Sequence, residues 1–307
     1  MSFSLIRQLA RSLSNRSFLL QKLIEEHRVH ECQSRCTMKS VKRSILSYLF
    51  IYIISMVQIY VDALADLSEF YKDIKVLPYL FDIDGKKYLT SDLSSKDVYN
   101  YMSKGTYPKT SRPNLGVWSD MIEEDLKAGK DILYVGSTSK MTGALSSINV
   151  IKNLIVNKYP GRNIEAIDTC HTTGTINLII KDILNGNFDP DNYRFWGVLK
   201  NTHTFYNNNR FMKDVDDISV IKVENGVAIF DSSYSSYEEA IDYIKKQTLH
   251  FCSADIEYSY DMESSDMLCD IKNHYLSGRD STTCHMINSC MYSYLGPGTI
   301  GVSIKEK

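Results

Sequence analysis

The sequence lacks three signatures that would have assigned a chemistry at once. Its seven cysteines form no CxxC pair, which excludes the spacing of a zinc ribbon or a thioredoxin-like centre. Scattered thiols of this kind fit a reduced, cytosolic environment. No G-x-S-x-G elbow is present to expose a serine nucleophile between a strand and a helix. Positive charge is not in surplus either: the formal net charge is −2, so a face built to track phosphate backbones is not expected and nucleic acid is not an expected partner. What remains is ordinary globular composition, 43% apolar and 23% charged over 307 residues, enough chain for two modest domains.

Acidic residues are absent before Glu25, and residues 1 to 43 are rich in Ser and Arg with Leu5, Leu9, Leu13 and Leu20 at helical spacing. That pattern reads as a transit-like amphipathic segment or as an extension without fixed structure. His27, His30, Cys32 and Cys36 lie close together, but their spacing matches no standard finger and no metal is expected there. Residues 45–61 are uncharged and apolar, preceded by Lys39, Lys42 and Arg43 and followed by Ala63-Leu64-Ala65. The run imitates a secretory signal or a short anchor, yet falls short of the roughly 20 residues that cross a bilayer. Its end, Val57 to Val61, is β-branched and aromatic and meets Asp62 at once, as a buried parallel strand does. Residues 1–56 are therefore set apart as an extension. The cytoplasm is the expected compartment, with membrane association or export through residues 45–61 as the alternative.

Beyond Asp62, short apolar runs alternate with amphipathic stretches, the pattern of an α/β fold. Strands are predicted at 74–81, 131–136, 164–167, 195–199, 218–223 and 227–230, with a hairpin turn at Asp84-Gly85, and the final segment, 294–304, carries Gly296-Pro297-Gly298. Helices are predicted at 94–102, at 114–128 with Leu115, Trp118, Ile122 and Leu126 inward, from about Ala144, through Asn177 and Leu184, and at 237–246 and 262–276. Composition changes after Gly186, so two lobes are expected, 57–190 and 191–307. The first should hold a mostly parallel sheet flanked by helices and the second should be a smaller α/β lobe. Ligands in open α/β sheets collect at the carboxyl ends of strands, which directs attention to the hydroxyl-rich turns after Gly136 and Asp168.

Four stretches, in order, resemble the DegV family. PKTSRP (residues 108–113) is similar to its lysine-threonine-serine-glutamine-proline loop, and STSKMTGA (137–144) to its Ser-rich turn ending in serine-glycine-threonine. IDTCHTTG (167–174) looks like its aspartate-serine turn before a helix, and LGPGTIGV (295–302) like its closing glycine-rich strand. NNNRF (207–211) resembles a fifth, the glycine-glycine-arginine loop. The resemblance implies a two-lobed DegV-like fold that takes a long-chain fatty acid such as palmitate between its lobes and needs no cofactor. It implies that Thr110, Thr142 and Arg210 meet the carboxylate, with Ser111, Gly143 and Tyr294 nearby. It further implies a carrier rather than an enzyme, one that presents the carboxylate to a partner such as a fatty acid kinase of the dihydroxyacetone-kinase-like type.

The sequence departs from that pattern in several places. Tyr294 stands where the family has a histidine, Asn208 and Asn209 where it has glycines, Ala63 where it commonly has serine, and the segment between Arg210 and Ile218 is too short for the family's helix. Two other readings stay open. One is a hydrolase or transferase using Ser137, Ser139 or Thr142; the other is a degenerate relative kept as an interaction module. A Cys170–His171 nucleophile pair is not expected, because adjacent residues of an extended segment point to opposite sides.

Overall fold

The computed structural model describes residues 57–67, 71–184, 188–200, 218–276 and 282–306. The readings of residues 1–56, and those of Asn208, Asn209, Arg210 and Phe211, lie outside the described residues.

In chain order, β1 (Val57–Asp62) is followed by β2 (Lys75–Leu77), β3 (Leu80–Ile83), β4 (Lys86–Leu89), α1 (Ser95–Met102), β5 (Lys109–Ser111) and α2 (Leu115–Lys127). Next come β6 (Asp131–Gly136), α3 (Ala144–Ile155), β7 (Ile164–Asp168) and α4 (Thr175–Leu184). The first sheet runs β2-β1-β6-β7 and every pairing in it is parallel. Helix α3 makes the crossover from β6 to β7, because parallel neighbours cannot be joined by a tight turn. A small antiparallel sheet, β4-β3-β5, stands beside it. Its hairpin turn is Asp84-Gly85, with φ of 50° and 80°, a left-handed pair that Asp tolerates and glycine takes freely.

The second sheet is built from β8 (Tyr193–Leu199), β9 (Ile218–Glu224), β10 (Val227–Tyr234), β11 (Phe251–Tyr258), β12 (Thr282–Met286) and β13 (Ile300–Glu306). Their order is β10-β9-β8-β13-β11-β12. Only β11 and β12 pair in parallel. Helices α5 (Tyr237–Gln247), α6 (Asp266–Leu276) and α7 (Ser289–Leu295) complete the described chain.

Local chemistry explains the helix starts. Ser94 and Asp97 form a reciprocal capping box at α1, Asn114 accepts from Gly116 N ahead of α2, and Ser236 accepts from Glu239 N ahead of α5. The faces follow the periodicity: α2 buries Trp118, Ile122 and Leu126.

One predicted element differs. The strand at 74–81 is two strands in different sheets, because Pro78 interrupts the run: proline has no N–H to give a ladder, and its carbonyl instead accepts from Trp118 Nε1 at 2.8 Å. The final segment, 294–304, begins as helix, with Tyr294 on α7. Gly296 ends that helix at φ 81°, and the strand starts only at Ile300.

One hydrophobic core joins the two sheets. Tyr60, Ile132, Tyr134, Ile148 and Trp118 from the first part of the chain cluster with Phe195, Leu199, Ile221, Val223 and Ala228 of the second sheet. Ile287, Cys290, Met291 and Leu295, in and beside α7, belong to the same cluster. Separate cores lie between the second sheet and α5 and α6, and between the first sheet and α4.

At the end of β1 the Asp62 carboxylate is fully buried and accepts from Tyr134 Oη at 2.6 Å and from the backbone of Leu64 and Ser137 at 2.9 Å each. It ties β1 to β6 where both strands deliver their loops. Asp62→Ala orphans three buried donors, and should cost about 3 kcal/mol or more of stability. Asp82→Ala, which breaks an exposed pair with Lys87 and an exposed bond from Gly85 N, should cost far less. Urea unfolding of the two variants checks the contrast; equal losses would contradict it.

Candidate functional site

A cavity of about 60 Å³ lies between the two sheets. The first-sheet side contributes Leu64 after β1, Met141 before α3, and Thr172 and Thr173 before α4. The second sheet contributes Phe195, Ile221, Val223 and Ala228, and α7 closes the space with Met291, Tyr294 and Leu295. The lining is mostly apolar, with hydroxyl groups from Thr172, Thr173 and Tyr294.

Two hydroxyl pairs gather beside it. Tyr294 Oη is hydrogen-bonded to Thr110 Oγ1, and Tyr79 Oη to Thr142 Oγ1 at 2.5 Å. Thr110 comes from β5, in register with Phe81, and Thr142 from the turn after β6, where its oxygen also accepts from Ala144 N at 3.3 Å and so caps α3. Each pair carries two hydroxyl protons and uses one internally, so each has one left to donate. Both phenols stay neutral donors. Burial raises Tyr294 to about 12, with Cys290 adding to the rise and the Thr110 bond opposing it. Burial drives Tyr79 still higher, helped by the field of Asp62. A cluster of neutral donors held out of water is what an acid group needs when it leaves water.

Gly143 takes part through its backbone: its carbonyl accepts from Arg112 Nη1 at 2.9 Å, and the same nitrogen donates to Ser147 Oγ. A Cβ at Gly143 would meet the guanidinium carbon at 3.0 Å, so glycine is what lets Arg112 lie against the start of α3. Ser111 is exposed and pairs through its backbone with Leu80. Of the residues the sequence singles out, Thr110, Thr142, Gly143 and Tyr294 thus fall in one neighbourhood, Ser111 borders it from the surface, and Arg210 lies outside the described residues.

Tyr79 was not anticipated. It lies within an apolar run and reads as ordinary core; only the fold that brings it against Thr142 reveals a polar role. Cys290, buried in α7 and close enough to both phenols to act on their ionisation, was also missed, since a lone cysteine carries no signal. Of the other hydroxyls near the turns, Thr138 donates to Gly226 O at 2.8 Å and Thr169 to Gly136 O at 2.9 Å, whereas Ser137 Oγ is buried with no hydrogen-bond partner among the described residues. Cys170 is exposed at φ 57° while His171 is buried with Nε2 at 3.0 Å from Pro190 O, so the two face different surroundings. Among the described residues no group of three or more His, Cys, Asp or Glu is arranged to hold a metal ion, and no helix is long and apolar enough to cross a membrane.

The fold and the cavity define a two-sheet α/β protein with an apolar space between its sheets and hydroxyl groups at one side of it. Residues 56–184 match the family model described as "Uncharacterised protein, DegV family". A DegV domain-containing protein of Clostridium perfringens is 32% identical over 117 residues, 36% of this chain and 40% of that one. The chain therefore spans well under half the length of that curated relative. Solved structures extend the likeness in fold. A stearic-acid-binding protein from Eubacterium ventriosum matches with a TM-score of 0.71 at 21% identity, over 82% of this chain and 99% of that one. A fatty-acid-binding DegV family protein from Thermus thermophilus matches with a TM-score of 0.69 at 15% identity, over 82% of this chain and 100% of that one.

The hydroxyl pairs make a direct prediction. Thr142→Val keeps the shape but leaves Tyr79 Oη buried without its partner, and should cost about 1–2 kcal/mol. Adding Tyr79→Phe should restore part of that loss, giving a coupling energy of about 1 kcal/mol in a double-mutant cycle by chemical denaturation. Strictly additive losses would show that the bond is not formed.

Proposed function

We propose that this protein binds a long-chain fatty acid, its chain in the space between the sheets and its carboxylate at the two hydroxyl pairs. The observation that carries the reading is the position of Thr110, Thr142, Tyr79 and Tyr294, neutral donors beside an apolar cavity. Thr110, Thr142 and Tyr294 receive the carboxylate, Ser111 and Gly143 shape its surroundings, and Arg210 is the cation assigned to the head group. The fatty-acid-binding neighbours in fold support the assignment.

Affinity would come from the tail and orientation from the head. At about 0.8 kcal/mol per buried methylene, a sixteen-carbon chain gains on the order of ten kcal/mol before entropy costs. A space of about 60 Å³ is far below the roughly 300 Å³ at which ligand pockets begin, so side chains move to admit the chain. Met141 and Met291 suit this, being unbranched and polarizable with three rotatable bonds each. In this reading residues 57–190 and 191–307 act as two lobes around the ligand. The protein is a cytoplasmic carrier that leaves the chemistry to a partner enzyme, such as a fatty acid kinase of the dihydroxyacetone-kinase-like type, and it requires no cofactor.

Displacement of a fluorescent fatty acid by palmitate tests the proposal. Thr110→Val and Thr142→Val should each weaken palmitate binding about tenfold, the worth of one hydrogen bond to a charged group. Ala228→Leu, which adds bulk to the cavity wall, should weaken binding further while changing stability by no more than about 2 kcal/mol. Palmitate affinity unaltered in all three variants would refute the site.

A further inference from the structure

Away from the hydroxyl pairs, three carboxyl groups and one imidazole meet where the loops of the first sheet touch the second. Asp66 lies four residues beyond the end of β1; Asp255 and Glu257 sit two apart on β11, so their side chains leave the same face of the strand; His285 lies on β12 in register with Glu257. Their exposures run from 0% to 9%. His285 Nε2 is 2.8 Å from Asp255 Oδ2, and its Nδ1 is 4.0 Å from Asp66 Oδ1. Asn177 of α4 donates to Asp255 Oδ2 and to Asp66 O, each at 2.8 Å, and Thr283 donates to Asp255 Oδ1. Gly174 N donates to Glu257 Oε2 at 2.7 Å, and Asn288 N to Asp66 Oδ1 at 2.9 Å. A Cβ on Gly174 would come within 2.3 Å of Asp255 Oδ2. Glycine is therefore required for the first-sheet loop to approach so closely.

Two oxygens in this cluster, Asp66 Oδ2 and Glu257 Oε1, are buried and accept no hydrogen bond among the described residues. One imidazolium can offset one carboxylate, and it is spent on Asp255. Two further carboxylates without counter-charge in a dry seam would be strongly destabilising. The neighbouring ionisable groups do not help. Asp62 is bonded to Tyr134 and Ser137, Asp182 to Lys305 and Tyr193, and Tyr71 to Asn177 O. Cys290 on α7 adds no positive charge, and Cys284 lies beside Lys272 and Tyr258 on the other side of β12.

We infer that Asp66, Asp255, Glu257 and His285 form a proton-binding site that fastens the two sheets while protonated and loosens the seam when Asp66 ionises. The electrostatics agree with the geometry. Burial raises Asp66 to about 6, with His285 pulling the other way, and burial holds Glu257 well above the carboxylate range. Burial opposes the charge on His285, but Asp255 outweighs it and carries the imidazole up to about 10. Glu257 and His285 thus keep their protons near neutrality, and Asp66 is the group that changes. Its folded value lies above its ordinary 3.8. Its contribution is therefore fully present below pH 3.8 and is lost as pH rises through about 6.

The seam runs directly into the cavity wall. Asp66 N donates to Thr173 O at 3.3 Å and Thr173 N to Leu64 O at 2.9 Å, and Leu64, Thr172 and Thr173 line the cavity. A looser seam opens the space between the sheets. That last step rests on the fatty-acid reading; the proton site does not.

Hydrogen–deuterium exchange on the full-length, ligand-free protein at pH 5 and pH 7.5, corrected for intrinsic rates, reads the seam at the amides of Asp66, Thr173 and Gly174. Opening should increase about tenfold between the two pH values in the wild type and should not change in Asp66→Asn. In His285→Gln, which removes the charge that lowers Asp66, the step should move to higher pH, and this variant decides the matter if Asp66→Asn does not fold. No wild-type step, the same step in Asp66→Asn, or an unmoved step in His285→Gln would overturn the inference. Palmitate binding is measured separately, so its absence with the step intact removes only the ligand reading.

Discussion

Neither sheet covers its own inner face. Phe195, Ile221, Val223 and Ala228 project from the second sheet and are buried because α7 and the loops at the carboxyl ends of β1 and β6 lie against them. The rest of the molecule follows from this shared core. It places the cavity between the sheets, it forces Asp62 and Asp66 out of water at the ends of β1 and its loop, and it brings β11 and β12 against the start of α4. An apolar space at such a seam is deformable in a way a single-sheet core is not, because its volume depends on how two separately hydrogen-bonded layers approach each other.

Polar groups then set the price of that approach. Asp62 has three donors and behaves as a rivet between strands of one sheet. The Asp66, Asp255, Glu257 and His285 group joins the two sheets and is short of partners. Tyr79 and Tyr294 lie between these extremes: each hydroxyl is satisfied by a threonine and each pair retains one proton to give. A seam held partly by satisfied and partly by protonation-dependent contacts stays closed without being locked.

Much of the fold was legible because its elements carry clean periodicity. Trp118, Ile122 and Leu126 mark one face of α2, Ser94 with Asp97 announces α1, and Val57 to Val61 running into Asp62 reads as a parallel strand. The failures have particular causes. Pro78 divides an apolar run that looks continuous. The residues of α7, SCMYSYL, are buried nearly all round, so helical spacing leaves no polar face and this helix was not predicted. In β11, Ser253, Asp255 and Glu257 alternate with apolar residues as a solvent-facing strand would, but both faces are buried, and this strand was missed. At the site, Thr110, Thr142, Gly143 and Tyr294 were reached through resemblance, whereas Tyr79 and the acid cluster depend on contacts between residues 30 to 219 positions apart in the chain and leave no local pattern.

The central claim is that the space between the sheets takes up an acyl chain by burial. Titration calorimetry with saturated fatty acids of increasing length tests it most directly. Affinity should rise by up to about 0.8 kcal/mol per added methylene until the space is filled, then level off, with a negative heat-capacity change throughout. Affinity independent of chain length would contradict the account.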